Sequence, residues 1–125
     1  MKKLVFIIDD DDDVRDVMSY ALELEGYNVR SFSDPLMALS ELGQLSQEKM
    51  PGLILVDYHM PQMNGVNFVE LVFSHHADTI GKIPMAICSA QEDLNSITKF
   101  PRDVIHLMKP LELEHFVKTV DEHCR

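Results

Sequence analysis

Leu4-Val5-Phe6-Ile7-Ile8 runs without a break into Asp9-Asp10-Asp11-Asp12-Asp13. Five apolar residues are too few for a buried helix and rich enough in Val, Ile and Leu for a strand. An apolar run that does not alternate with polar residues suits a parallel sheet covered on both faces. The aspartates then mark the carboxyl end of that strand. The same pattern recurs down the chain. Leu53–Val56 ends at Asp57, Met85–Cys88 at Ser89, and Val104–Met108 at Lys109, which Pro110 follows. A weaker candidate, Asn28–Phe32, is partly polar and suits a sheet edge.

Helical patterns fill the intervals. Val14, Val17, Met18, Ala21 and Leu22 follow the i, i+3, i+4, i+7, i+8 rule, which predicts that all five share one inward face. Gly26 is placed to stop that helix. Asp34-Pro35 reads as an N-cap followed by the first helical residue, opening a helix that carries Ala38, Leu39, Leu42 and Leu45. Phe68, Val69, Val72 and Phe73 make a third stripe, and Leu113, Phe116, Val117 and Val120 a last one. Between Ser89 and Val104 the pattern is poor: Leu94, Ile97 and Phe100 fit a short helix that Pro101 would end. Strands alternating with helices imply right-handed crossovers and a doubly wound α/β sheet, whose ligands bind at the carboxyl ends of its strands.

Composition narrows the function. The 125 residues suit one domain, with no room for a separate output module. Lys and Arg number 11 against 21 Asp and Glu, a formal charge of −10, which argues against nonspecific contact with nucleic acid or an anionic membrane. Two lysines precede Leu4–Ile8 as in a signal peptide, but the apolar run is too short and acids follow at once. Cys88 and Cys124 stand too far apart to suggest a disulfide framework, so a reducing cytoplasmic setting is expected.

Four strand ends therefore bring three acids, a hydroxyl and an amine to one rim. Two carboxylates about 4 Å apart repel by roughly 4 kcal/mol at an effective dielectric near 20. Three would not stay ionised together without a cation. Lys109 supplies one positive charge, and hard oxygen donors favour Mg²⁺ for more. A metal, an ammonium and a hydroxyl around one carboxylate describe a phosphoryl-transfer site, in which that carboxylate can be the nucleophile.

The run Ile7–Arg15, the segment Leu53–Pro61 with Asn64-Gly65, the segment Ile83–Ala90 and Lys109-Pro110 together resemble the CheY-like receiver domain of bacterial two-component response regulators. The resemblance covers nearly the whole chain and implies a flavodoxin-like, five-stranded parallel sheet of order 2-1-3-4-5 with about five helices, the fourth short or irregular. It implies a single receiver domain over residues 1–125 with no output domain. Asp57 matches the aspartate that takes a phosphoryl group from a phosphohistidine. Asp9 and Asp10 match the acidic pair that holds Mg²⁺, Asp10 as the direct ligand, and His59 the position whose backbone carbonyl completes the metal shell. Ser89 and Lys109 match the hydroxyl and amine that contact the phosphoryl oxygens, and Lys109-Pro110 a bond usually cis. The implied donors are a sensor histidine kinase or a histidine phosphotransfer protein. The implied output is a downstream protein that reads the face made by the fourth helix, fifth strand and fifth helix, with the chain a monomer or weak dimer. Such a protein catalyses only its own phosphorylation and dephosphorylation and turns over no metabolite.

The sequence departs from the family pattern in three places. His106 stands where Tyr or Phe is usual, so the residue expected to follow Ser89 during switching is a smaller, titratable ring. The segment from Ser89 to Lys109 is short and carries Phe100-Pro101. His59 and Gln91 occupy variable positions beside the phosphoacceptor, which tune how fast the acyl phosphate hydrolyses.

Competing readings remain open at this stage. Asp10-x-Asp12-x-Val14 also matches the opening of haloacid-dehalogenase-type phosphatases, with Asp10 as nucleophile, but leaves Asp57 unexplained. A pseudo-receiver that binds partners without phosphorylation is a third class. Asp11 to Asp13 read best as a solvated turn and helix cap. Asp9, Asp11 and Asp13 mimic calcium-loop spacing, but Val14 and Tyr20 stand where that loop needs Gly and Glu. His75-His76 read as surface residues near a helix end, and the eight methionines as core filler.

Overall fold

A computed structural model describes residues 3–76, 78–90, 93 and 103–125. The strands are β1 (Leu4–Ile8), β2 (Asn28–Phe32), β3 (Leu53–Asp57), β4 (Met85–Ala90) and β5 (Ile105–Lys109). The helices among the described residues are α1 (Asp12–Leu24), α2 (Pro35–Gln44), α3 (Gly65–His75) and α4 (Leu113–His123), with short 3-10 turns at Gln47–Lys49 and Ile80–Lys82. All pairings are parallel and the order is β2-β1-β3-β4-β5. This is the flavodoxin-like architecture expected. The helix foreseen between Ser89 and Val104, and the tuning residue Gln91, lie outside the described residues.

Side-chain alternation along each strand feeds two cores. Phe6, Ile8, Ile54, Val56, Met85 and Ile87 join α2 and α3 on one face of the sheet. Val5, Ile7, Leu53, Leu55, Ala86 and Cys88 join α1 and α4 on the other. Every residue of β1 after Leu4, and every residue of β3, is buried, which is why these runs are apolar throughout. Each fully buried large side chain, such as Phe6, Phe68 or Phe116, contributes about 1.5–3 kcal/mol by leaving water.

The helix starts follow from local chemistry. Asp11 caps α1, its carboxylate accepting from the Asp13 and Val14 amides. Asp34 caps α2 by accepting from Leu36, with Pro35 as the first helical residue. Asn64 caps α3 through the Asn67 amide. Gly26 follows α1 with φ of 94°, a left-handed conformation that favours glycine.

Two helical stripes differ from the sequence reading. Met18 and Leu22 are buried, but Val17 is exposed on α1. Phe116 and Val120 are buried, but Leu113 is exposed on α4. The apolar arc on each helix is wider than the sheet can cover, so one edge of it stays in water. His75 and His76 are exposed at the end of α3, as expected, and Cys88 and Cys124 are free thiols. No helix among the described residues is long and apolar enough to cross a membrane.

Candidate phosphoacceptor site

Register decides what meets at the carboxyl rim. Ile8 pairs with Val56, so Asp9 and Asp57 follow at the same level on adjacent strands. Asp57 pairs with Cys88, Ser89 with Met108, and Ala90 with Lys109. Strands two apart lie about 10 Å apart, so only a long side chain can reach from β5 to β3. Lys109 does so. Its Nζ donates to Asp57 Oδ1 at 2.7 Å and to Asp9 Oδ2 at 3.3 Å.

The acids are held as well as gathered. Asp9 is buried, and its Oδ1 accepts from the Asp11 amide at 2.9 Å. Arg15 turns back from α1 and donates to the Asp9 backbone carbonyl at 2.8 Å. Asp10 is exposed at the mouth of the site. One carboxylate oxygen from each of Asp9, Asp10 and Asp57 lies within 4.8 Å of the others. An all-oxygen donor set of this span, with one member open to water, fits a hard divalent cation that keeps part of its hydration shell. The residues present therefore suit Mg²⁺.

The electrostatics single out Asp57. Burial raises its carboxyl pKa, the hydrogen bond from Lys109 works against this, and the neighbouring Asp9 and Asp10 charges raise it further. The net result is a shift from 3.8 to about 6. Burial works to lower the Lys109 pKa, but the hydrogen bond and charge of Asp57, helped by Asp9, prevail and raise it. The ammonium is thus held charged against a carboxylate that remains mostly ionised above pH 6. The Lys109-Pro110 bond is cis.

Ser89 ends the buried run of β4, one residue beyond Cys88, the register partner of Asp57. Its hydroxyl shares a 2.6 Å hydrogen bond with His106 Nε2 on β5. The described geometry therefore pairs Ser89 with His106, and pairs Lys109 with Asp57 and Asp9.

Asp93 is a participant the sequence reading missed. It is buried, accepts from the Ala90 amide at 2.9 Å, and takes a hydrogen bond from the otherwise exposed ring of His59. This contact ties the segment after β3 to the one after β4, on either side of Asp57. No local pattern marks Asp93, because its role depends on tertiary contacts with Ala90 and His59. Gly65 is marked by the Asn-Gly pair, and its reason is now visible. A Cβ there would stand 2.8 Å from the Asp57 carbonyl oxygen, where α3 starts against the backbone of β3.

Comparison with known proteins agrees with this geometry. The family model for the response regulator receiver domain matches residues 5–121. The chain is 31% identical to the response regulator receiver protein CpdR of Brucella abortus, over 96% of this chain and 95% of that protein. It is 34% identical to the C4-dicarboxylate transport transcriptional regulatory protein DctD of Rhizobium meliloti, over 70% of this chain but only 20% of that longer protein. Among solved structures, the chemotaxis protein CheY4 of Vibrio cholerae superposes with a TM-score of 0.75 at 22% identity, covering 98% of this chain and 99% of that one, which speaks to the fold. The chain belongs to the response regulator receiver domain family.

Proposed function

We propose that the chain is a phosphorylation-controlled binding module whose acceptor is Asp57. The observation that carries this reading is the buried Asp57 carboxylate, held 2.7 Å from the Lys109 ammonium with Asp9 and Asp10 oxygens close by. In the reaction, an Asp57 oxygen attacks the phosphorus of a phosphohistidine. The P–N bond breaks, the imidazole leaves and takes up a proton, and Asp57 becomes an acyl phosphate. The donor is a sensor histidine kinase or a histidine phosphotransfer protein.

Asp9, Asp10, Asp57 and the His59 backbone carbonyl are the candidate holders of Mg²⁺. When bound, the cation supplies charge neutralisation between these acids and the incoming phosphoryl oxygens. Lys109 contributes the remaining positive charge and orients Asp57. Ser89 serves as the hydroxyl that turns from His106 toward the phosphoryl group. That exchange would alter β5 and so the surface a downstream protein reads. His59 and Gln91 are the positions proposed to set the hydrolysis rate.

The reading with Asp10 as a phosphatase nucleophile is weaker. It places the reaction on the exposed acid and leaves the Lys109–Asp57 pair without a role. The test is incubation with a small phosphodonor and Mg²⁺, followed by intact mass. One phosphate adduct, absent in Asp57→Asn and in chelator, with no turnover of a generic phosphomonoester, supports the proposal. Adduct formation that survives Asp57→Asn would sink it.

A further inference from the structure

The pairing of β3 with β4 stops beside Asp57, and an anion takes the donor left over. The last paired residues are Asp57 and Cys88, and the Tyr58 N–H donates to the Cys88 carbonyl at 2.8 Å. In a parallel ladder the next rung would run from the Ala90 N–H to the Tyr58 carbonyl. That carbonyl accepts from Gly65 at 2.9 Å instead, where α3 begins. The Ala90 N–H, directed toward β3 just past the level of Asp57, donates to Asp93 Oδ2 at 2.9 Å. Asp93 Oδ1 shares a hydrogen bond with His59 Nε2. Asp93 is only 6% exposed, whereas the His59 side chain is 73% exposed. A buried carboxylate needs partners, and one of these two is a ring standing largely in water, which can let go of it.

An anion thus already sits on a backbone donor at the edge of a site read as receiving one. A phosphoryl group on Asp57 brings three acceptor oxygens and nearly two negative charges. Lys109 and a cation held by Asp9 and Asp10 face these from one side. The end of β4 offers two neutral donors, the Ser89 hydroxyl and the Ala90 N–H. Both are engaged, Ser89 with His106 and Ala90 with Asp93. On the reading of Asp57 as acceptor, on which this rests, we propose that Asp93 is an internal anion that holds the Ala90 N–H until the phosphoryl group takes it. A charged acceptor on that N–H competes more strongly than water does. Asp93 therefore sets the rate at which Asp57 is phosphorylated. Phosphorylation evicts it and frees His59, giving the segment after β4 a signal separate from the Ser89–His106 bond.

The test follows phosphorylation of the full chain by acetyl phosphate and Mg²⁺. Asp93→Ala should take phosphate on Asp57 about three- to tenfold faster than the parent, although it weakens the fold. A merely structural Asp93 predicts the opposite, slower labelling in a loosened site. Asp93→Asn, which keeps the shape and an acceptor oxygen but not the charge, should be accelerated less. The gain should persist at about 0.5 M salt, where long-range repulsion of the anionic donor is screened. In the parent, labelled for NMR, the Ala90 amide and the Asp93 side-chain carboxyl signals should shift as Asp57 is phosphorylated, and stay fixed in Asp57→Asn. Slower or unchanged labelling in both Asp93 variants would overturn the proposal, as would a gain that vanishes at high salt. So would an Asp93 signal that stays in place at full phosphorylation. A parent that takes no phosphate on Asp57 would sink the acceptor assignment and this proposal with it. Normal labelling in the parent with no gain in Asp93→Ala would sink this proposal alone.

Discussion

Asp57→Asn should make the metal-free protein more stable at neutral pH, although it deletes an ion pair. The reasoning starts from the raised carboxyl pKa, from 3.8 to about 6, caused first by burial and then by Asp9 and Asp10, net of the help from Lys109. The folded state holds this proton more tightly than the unfolded chain. Ionisation of Asp57 therefore costs nothing below about pH 4, costs progressively more from there to about pH 6, and is fully charged against folding above it. A shift of about two pKa units corresponds to roughly 3 kcal/mol. Water at the rim screens part of that, so roughly 1–3 kcal/mol is expected. Asparagine keeps the shape and removes the charge. At roughly 3–5 °C per kcal/mol for a domain of this size, its Tm should exceed the parent's by several degrees at pH 7.5 in chelator. The gap should close by pH 4. Adding Mg²⁺ should narrow the gap, because the parent gains about 2.7 kcal/mol at one hundred times its Kd and the variant gains less. Thermal melts across that pH range decide the matter. A variant less stable than the parent at pH 7.5 in chelator, or a gap that persists at pH 4, would refute the reasoning.

Lys109→Met should lower stability at pH 7.5, where the Asp57 carboxylate loses its counter-charge, and lower it less at pH 4, where Asp57 is protonated, with thermal melts as the check. His106→Ala should leave adduct formation at Asp57 intact but weaken the coupling between phosphorylation and partner binding. Calorimetry on both phosphorylation states measures this, and unchanged coupling would make His106 purely structural. Asp93→Ala should cost roughly 1–3 kcal/mol in denaturant melts, because the Ala90 amide loses its buried acceptor. Gly65→Ala should cost about 1–3 kcal/mol by forcing a Cβ against the Asp57 carbonyl, and slow labelling by a small phosphodonor.

Much of the architecture is legible because β1, β3 and β4 are buried on both faces and so are written as unbroken apolar runs. The polar residues that end them are legible for the same reason, as abrupt changes of chemistry. Strand order is not, since nothing in Leu53–Asp57 says that it lies beside Leu4–Ile8; that came from the resemblance alone. The inward stripes of α1 and α4 were read too wide. Periodicity records that Val17 and Leu113 share an arc with buried residues, not where the sheet ends. Ser89 was legible as a strand-end hydroxyl, but its hydrogen bond to His106 follows from the β4–β5 register. Asp93 was invisible because its partners, the Ala90 amide and the His59 ring, are brought to it only by tertiary structure.

The phosphoacceptor assignment is tested most directly by locating the phosphate. After brief exposure to a small phosphodonor with Mg²⁺, the acyl phosphate can be reduced in place and the labelled residue found by tandem mass spectrometry. A single mark on Asp57, lost when Mg²⁺ is chelated, is the predicted result. A mark on Asp10, or one that forms equally without the cation, would contradict the account.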